Sequence, residues 1–268
     1  MLRQRVVTAL VGAVLVLVVV FGLDVRGFAV AVALALLAGA WEWAGLLGWS
    51  SVGRAAYLVA VLAGEGAAGW LLAHGMGLAV FVSAALWWAA ALAWLARWRP
   101  RRPASRAALA VAGVLALVPA WAALVWLQAV GPMWVLILLG LVWIADTAAY
   151  FAGRALGHRR LAPLLSPGKT LEGVWGGLAA VGLYSGILAL LLRLGLVEGV
   201  YFVLLGLLAA MVSVEGDLME SLLKRQCGVK DSGQLLPGHG GILDRIDSLL
   251  AAAPVFALGL QGLSRPLG

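Results

Sequence analysis

Residues 216–248 read GDLMESLLKRQCGVKDSGQLLPGHGGILDRIDS, and this polar segment lies between two apolar runs. It carries five acidic side chains and four Lys or Arg side chains. Charged groups beside a bilayer are costly unless they are paired, hydrated or bound to a metal ion. The segment therefore predicts the functional site, in preference to a solvated loop that merely joins two helices.

Outside this segment the chain is strongly apolar. Of its 268 residues, 64% are hydrophobic and 12% are charged, whereas soluble domains have about 45–50% and about 25%. Runs of about twenty apolar residues recur, each long enough to cross a hydrocarbon core roughly 30 Å thick as a helix. Backbone groups in lipid must bond within their own segment, which favours helices. The composition predicts an all-α, polytopic integral membrane protein.

Nine apolar runs predict about nine transmembrane helices, at residues 6–23, 27–47, 56–72, 77–96, 107–128, 133–152, 173–192, 200–220 and 248–263. The first run is too long for a signal-peptide core and has no clear cleavage site, so we interpret it as a transmembrane helix. We expect one membrane-embedded domain over residues 1–268. Its N-terminal helices, spans 1–5, occupy residues 1–130, and its catalytic helices and loops, spans 6–9, occupy residues 131–268.

The positive charges predict the orientation. With a cytoplasmic N-terminus, only Arg26, Arg193 and Arg265 of the 19 Lys and Arg residues fall on the outer side, as the positive-inside rule requires. Loops 153–172 and 221–247 then face the cytoplasm, which predicts an active site on that face of the cell's inner membrane. The net charge of +7 follows from this topology, and no nucleic-acid-binding motif accompanies it.

A first group of polar residues lies near the end of the sixth span. Asp146, Tyr150, Gly153 and Arg154 have the spacing of one helical stripe. Arg suits bidentate contact with phosphate, and Gly lets a headgroup approach closely. An Asp–Arg pair that only stabilises the helix end is the alternative.

A second group is SPGKTLEG at residues 166–173. A P-loop is excluded, because its leading glycine would fall at Pro163 and a strand should precede it. We expect instead a helix start at Ser166-Pro167, whose free N–H groups bind phosphate oxygens together with Lys169.

The polar segment itself is the third group. Asp217, Ser221 and Lys224 share a face if the eighth helix continues through them. A turn rich in Gly and Pro follows, and the ninth helix then carries Asp244 and Asp247 on its first turns. Acidic side chains from two successive helices are therefore expected to face each other.

This arrangement predicts a divalent cation. Mg²⁺ commonly binds one or two carboxylates together with waters and substrate phosphates. We expect Asp217 and Asp244 as ligands, with Asp247 and Asp231 behind them. His239 has no Cys or His at zinc spacing, so we expect it to orient the turn or to contact phosphate.

These groups carry a family resemblance. The third group resembles the motif of phosphatidate cytidylyltransferases, also called CDP-diacylglycerol synthases: SLLKR from Ser221, KD at 230–231, and LPGHGGILDRID at 236–247. Residues 146–157 resemble the same family's D-x-x-A-Y-x-x-G-R-x-x-G pattern. The family usually has a second lysine where this chain has Gly168, so a doubly charged phosphate clamp is not expected.

The resemblance implies a nucleotidyltransferase of phospholipid biosynthesis that converts CTP and phosphatidic acid to CDP-diacylglycerol and pyrophosphate. It also implies dependence on Mg²⁺, and it leaves open a second metal ion or K⁺, and a homodimer. Asp217, Asp244, Lys224 and Asp247 are the expected catalytic residues. The expected substrate-binding residues are Ser221, Arg225, Lys230, Asp231, His239, Arg245, Lys169, Asp146, Tyr150 and Arg154.

Two other functions fit parts of the sequence. A membrane CTP-dependent polyprenol kinase would use similar residues but transfer the γ-phosphoryl group. A non-enzymatic transporter or scaffold would need broken helices at the membrane midplane, whereas the polar groups here gather at one face. Glu42 and Glu65 lie within predicted spans. Helix packing explains them as well as function does, so neither is assigned to the site.

Overall fold

Helices make up most of the chain, as the apolar runs predict. The computed structural model describes residues 2–101, 103–233 and 240–263. A two-stranded antiparallel hairpin, β1 (Arg160–Ala162) and β2 (Ser166–Thr170), lies between the sixth and seventh helices. The helices found within the described residues are α1 (Leu2–Gly22), α2 (Val25–Leu46), α3 (Ser51–Ala73), α4 (Gly77–Arg97), α5 (Arg106–Val130), α6 (Pro132–Leu156), α7 (Leu171–Leu191), α8 (Leu196–Gln226) and α9 (Leu243–Leu260).

Seven of these helices, α2 to α8, are long and apolar enough to cross a membrane by length and composition. Within the described residues, the apolar stretch of α1 is shorter, Val11–Gly22. Helix α9 carries Asp244, Arg245 and Asp247 in its first turns and is apolar after Ser248. The prediction of an all-helical polytopic membrane protein is confirmed; the nine crossings and the cytoplasmic N-terminus stay predictions.

Side-chain caps fix where several helices begin. An oxygen of the capping side chain accepts a hydrogen bond from the backbone N–H three residues later, which satisfies one of the free donors of the first turn. This occurs at Asp24, Ser50, Ser105 and Thr170. Helix α6 instead begins with Pro132, a residue well suited to the first helical position.

The helix start predicted at Ser166-Pro167 is wrong. These residues belong to β2, in which Ser166 pairs with Ala162 and Thr170 pairs with Arg160. Helix α7 begins only after Thr170, whose Oγ1 accepts the N–H of Gly173 at 3.1 Å. A two-stranded hairpin tolerates Pro167, because no third strand needs the missing N–H.

Polar tips of aromatic side chains tie α5 to its neighbours. Trp43 of α2 donates from Nε1 to the carbonyl of Leu109 at 3.0 Å, and Tyr57 of α3 donates its hydroxyl to the carbonyl of Ala110 at 3.0 Å. Such bonds satisfy polar groups inside an apolar bundle. Trp43 also belongs to the buried apolar cluster that includes Leu222 of α8 and Leu243 at the start of α9. The polar segment therefore rests on a packed apolar base.

Candidate active site

A cavity of about 650 Å³ is lined by α6, α7, α8, the start of α9 and the hairpin. One part of its wall is apolar and includes Val174, Leu178 and Val214. The charged part consists of Asp146, Arg154, Arg160, Lys169, Asp217, Asp244 and Asp247. The cavity can therefore contact an apolar group and a charged group at the same time.

The α6 stripe lines this cavity. Asp146, Tyr150, Gly153 and Arg154 all contribute to its wall, as their helical spacing predicts. Arg154 donates from Nη1 to the Tyr150 hydroxyl at 3.2 Å. Among the ion pairs of the described residues there is none between Asp146 and Arg154. The two charges are thus both directed to the cavity instead of capping the helix end as a pair.

Close packing of α7 on α6 sets the position of the hairpin. A Cβ at Gly173 would lie 2.8 Å from the carbonyl oxygen of Ala149, and a Cβ at Gly177 would lie 2.9 Å from that of Ala145. Such separations require glycine at both positions. Small residues allow membrane helices to approach backbone to backbone, and here the approach brings the end of β2 over the α6 stripe.

Polar contacts hold the hairpin at its base and at its tip. Glu172, in the first turn of α7, accepts the backbone N–H groups of His158 and Arg159 at 3.0 and 3.1 Å, and it pairs with Arg159 Nε at 3.2 Å. At the tip, Arg225 of α8 donates from Nε to the carbonyl of Leu165 at 3.0 Å. The hairpin therefore presents its basic residues from a fixed position.

Lys169 and Asp217 join the hairpin to α8. Lys169 Nζ lies 2.6 Å from Asp217 Oδ2, and the two side chains are 24% and 29% exposed. Ser221 donates its hydroxyl to Asp217 Oδ1 at 3.3 Å. The predicted proximity of Asp217 and Ser221 is thus present, and the carboxylate stays accessible from the cavity.

Lys224 points instead toward α9. Its Nζ lies 2.6 Å from Glu220 Oε2 and 2.7 Å from Asp244 Oδ1. Asp244 Oδ2 accepts the N–H of Ser232 at 3.0 Å, the Ser232 hydroxyl at 2.9 Å and the N–H of Gly241 at 2.9 Å. Burial alone would raise the pKa of Asp244, but the Lys224 ammonium and these donors hold it well below its usual range. Asp244 is therefore a carboxylate at neutral pH.

The remaining predicted residues differ in placement. Asp247 lines the cavity, and its Oδ1 accepts the N–H of Ser248 at 2.7 Å. Arg225 contacts the hairpin tip and is exposed. Three other predicted residues are exposed and do not belong to the cavity lining: Lys230, Asp231 and Arg245. His239 lies outside the described residues.

The acidic residues suit an open cation site better than an enclosed one. Within the described residues, no group of three or more His, Cys, Asp or Glu side chains is arranged to hold a metal ion. Asp217 of α8 and Asp244 of α9 nevertheless line the same cavity. Two carboxylates that leave room for waters and substrate oxygens match the usual coordination of Mg²⁺.

Three contributors were missed from the sequence. Arg160 of β1 lines the cavity, and Glu220 contacts Lys224. Glu42 of α2 accepts the N–H of Leu243, 201 residues away, at 2.9 Å. Glu220 directly precedes the predicted residue Ser221, and Arg160 lies in the basic loop 153–172 between the predicted residues Arg154 and Lys169, which could have pointed to them. The only signal for Glu42 is an acid within an apolar span, and Glu65 gives the same signal although its carboxylate is buried with no hydrogen-bond partner in the described structure.

Together, the helices and this cavity define a polytopic membrane protein with a charged pocket that also has an apolar wall. The chain belongs to the cytidylyltransferase family, whose sequence model matches residues 3–262.

Curated relatives agree with that family. A phosphatidate cytidylyltransferase from Pseudomonas aeruginosa is 44% identical over 277 aligned residues, which cover 96% of this chain and 96% of the relative. One from Haemophilus influenzae is 52% identical over 120 residues, 44% of this chain and 42% of the relative. One from Bacillus subtilis is 46% identical over 113 residues, 42% of each chain.

Proposed function

We propose that the protein is a phosphatidate cytidylyltransferase, which transfers the cytidylyl group of CTP to phosphatidic acid and produces CDP-diacylglycerol and pyrophosphate. The observation that carries the proposal is a cavity that has both a charged wall and an apolar wall. A nucleotide triphosphate and a lipid headgroup can meet there while the acyl chains stay in the bilayer. Family membership and the full-length similarity to the Pseudomonas aeruginosa enzyme support the proposal.

The charges of the cavity favour a cation as part of the site. Four carboxylates and three basic side chains line it, and both proposed substrates are negatively charged at their phosphates. Carboxylates repel phosphates at short range unless a cation lies between them. We propose Mg²⁺ as that cation, held by Asp217 and Asp244. In the structure the oxygens of these two residues contact the ammonium groups of Lys169 and Lys224, so they already bind positive charge.

In the proposed reaction, a phosphate oxygen of phosphatidic acid forms a bond to the α-phosphorus of CTP. The bond from that phosphorus to the bridging oxygen breaks, and pyrophosphate leaves with both bonding electrons. A bound Mg²⁺ would stabilise negative charge on the phosphate oxygens. Catalysis of this kind needs positioning and charge stabilisation more than covalent participation. No nucleophile from the protein is therefore proposed.

The site residues form two groups: some are proposed to bind the substrates, and others position the carboxylates. Lys169, Arg154 and Arg160 face the cavity and are proposed to bind phosphate oxygens, for which Arg and Lys are suited. Asp146 and Tyr150 precede Arg154 on the α6 stripe and are also proposed to contact the substrates. Another group positions the carboxylates: Ser221 contacts Asp217, and Lys224 contacts Asp244.

A topology follows for the whole chain. We propose nine membrane crossings, a cytoplasmic N-terminus and a cavity at the cytoplasmic face of the inner membrane. The segregation of Lys and Arg supports the orientation. The apolar character of α9 after Ser248 supports a ninth crossing. In this arrangement a water-soluble nucleotide reaches the cavity from the cytoplasm, and the lipid reaches it from the inner leaflet.

One assay tests the proposed function. Full-length protein purified in detergent is incubated with Mg²⁺, with CTP labelled at either the α- or the γ-phosphorus, and with either phosphatidic acid or a polyprenol as the acceptor. Cytidylyl transfer puts the α-label into lipid and releases the γ-label as pyrophosphate. Transfer of the γ-label to polyprenol, with release of CDP, would instead identify a kinase. Absence of any CTP turnover would contradict an enzymatic function and favour a transporter or scaffold.

A further inference from the structure

Glu42 links the N-terminal helices to the acidic end of α9. It lies in α2 and is only 5% exposed. Its carboxylate accepts the backbone N–H groups of Ile242 at 3.1 Å and Leu243 at 2.9 Å, and it lies 3.0 Å from the Ser232 hydroxyl. A buried carboxylate with this many donors is held in one orientation.

These contacts supply a cap that α9 lacks in its own sequence. The residue at the N-cap position is Ile242, whose side chain cannot accept a hydrogen bond. The first N–H groups of a helix need acceptors, and the positive end of the helix dipole favours a negative charge. Glu42 provides both from a different helix. The start of α9 is therefore fixed relative to α2.

Ser232 extends the connection to Asp244. Its Oγ lies 3.0 Å from Glu42 Oε2 and 2.9 Å from Asp244 Oδ2, so this hydroxyl is within hydrogen-bonding distance of both carboxylates. A Cβ at Gly241 would overlap both Ser232 Oγ and the Glu42 carboxylate. Only glycine at this position allows the turn, the hydroxyl and the two acids to lie so close together.

We infer that Glu42 is a positioning residue for the reaction: it fixes the start of α9 and the Ser232 turn, and through them the carboxylate of Asp244. The inference rests on the proposed function, because it concerns how that site is organised. Glu42 does not line the cavity, and it acts through Ser232 and the α9 backbone. It also gives a role in the site to the N-terminal half of the chain, of which no described residue belongs to the cavity wall.

The chain offers a matched control. Glu65 of α3 is a second buried acid, 1% exposed, and its carboxylate has no hydrogen-bond partner among the described residues. If Glu42, like Glu65, contributed only to folding, Glu42→Gln and Glu65→Gln would have similar effects on kcat. Positioning predicts different effects, because only Glu42 contacts the segment that holds Asp244.

The test compares steady-state kinetics of purified full-length wild type, Glu42→Gln, Glu42→Asp and Glu65→Gln. In Glu42→Gln an NH₂ group, which cannot accept a hydrogen bond, replaces one of the carboxylate oxygens that accept the backbone N–H groups of α9. We expect this change to displace the start of α9. We expect kcat to fall at least about tenfold, since small misplacements of reacting groups are costly. The KM for CTP should stay within about threefold, because Lys169, Arg154 and Arg160 are on other elements. Glu42→Asp should recover part of kcat, and Glu65→Gln should match wild type.

Ser232→Ala provides a second test if Glu42→Gln does not fold. It removes the shared hydroxyl and leaves the N–H bond from residue 232 to Asp244; we expect kcat to fall about threefold or more at unchanged KM. A wild-type kcat in Glu42→Gln would overturn the inference. If Glu42→Gln does not fold, a wild-type kcat in Ser232→Ala would overturn it. Equal losses in Glu42→Gln and Glu65→Gln would overturn it too. Failure of the proposed function would look different, because wild type itself would then make no CDP-diacylglycerol.

Discussion

Lys224 of α8 and Asp244 of α9 form an ion pair, with Nζ 2.7 Å from Oδ1, although 19 residues separate them in the chain. The two side chains are only 15% and 10% exposed. Removal of one partner of a buried pair leaves the other charge uncompensated. The contact therefore connects the two helices from which the proposed cation ligands come, and it makes the site sensitive to the charge of Asp244.

Asp244→Asn should strip activity while the protein stays inserted. Asparagine keeps the shape of the side chain but removes the charge that faces the cavity, and Lys224 retains Glu220 as a partner. We expect kcat to fall by about 100-fold or more, the scale of losses when a transition-state charge loses its stabilising group. Asp24→Asn is the control, because Asn also serves as an N-cap at the start of α2. Near-normal turnover of Asp244→Asn at saturating Mg²⁺ would contradict the metal assignment.

Lys169→Ala should act mainly on CTP binding. The ammonium lies at the end of β2 and faces the cavity, where it is proposed to contact phosphate. We expect the KM for CTP to rise about tenfold, with kcat changed much less, as for a group that binds ground state and transition state alike. Arg97→Ala removes an equal charge from the exposed end of α4 and should leave KM unchanged. A loss confined to kcat would rule out this role.

Gly173→Ala should disturb the packing of α7 on α6. The added Cβ would lie 2.8 Å from the carbonyl oxygen of Ala149, so the helices must separate and the hairpin must move. Overpacking of this kind costs about 1–3 kcal/mol, and both thermal stability in detergent and turnover should fall. Gly186→Ala lies in the same helix with no atom within 4 Å of the added Cβ. If the two variants unfold at the same temperature, close packing at Gly173 is not important for stability.

Removal of divalent cations should stop the reaction reversibly. Two carboxylates without a third protein ligand are expected to bind Mg²⁺ with help from substrate oxygens, so the ion should exchange readily. Excess EDTA is expected to abolish turnover, and Mg²⁺ in excess of the chelator should restore it. Asp217→Asn should raise the Mg²⁺ concentration needed for half-maximal rate. Undiminished activity in EDTA would exclude a cation from the mechanism.

The single cysteine reports on orientation. Cys227 is exposed at the end of α8, beside the polar segment, and it is the only cysteine in the sequence. A membrane-impermeant maleimide should label it in inside-out vesicles and not in right-side-out vesicles. In a Cys227→Ser background, Arg193→Cys, on the exposed turn before α8, should show the reverse pattern. Labelling of both positions from the same side would refute the proposed topology.

Features that arise within a single helix could be predicted from the sequence. Each apolar run forms a helix, because a long hydrophobic segment in lipid must satisfy its backbone hydrogen bonds within itself. The α6 stripe could also be predicted, since Asp146, Tyr150 and Arg154 are four residues apart and a helix brings such positions onto one face. Asp217 and Ser221 meet for the same reason.

Contacts between distant segments could not be predicted in this way. Nothing near Glu42 in the sequence indicates that it caps a helix 200 residues later, and Glu65 has an equally suggestive setting without a partner. The hairpin was missed for a different reason. Ser-Pro is a common helix start, but Thr170 provides a side-chain cap four residues later, and the segment before it pairs with residues 160–162.

The anchored hairpin has a consequence for how nucleotide enters. Its base is held by Glu172, its tip by Arg225, and the backbone N–H of Leu171 bonds to the carbonyl of Arg159 at 2.9 Å. A strand pair fastened at both ends cannot swing aside as a gate without losing all three attachments. We therefore expect the hairpin to stay fixed while CTP enters the cavity beside it. Arg160 and Lys169 would then already be in position before the nucleotide binds.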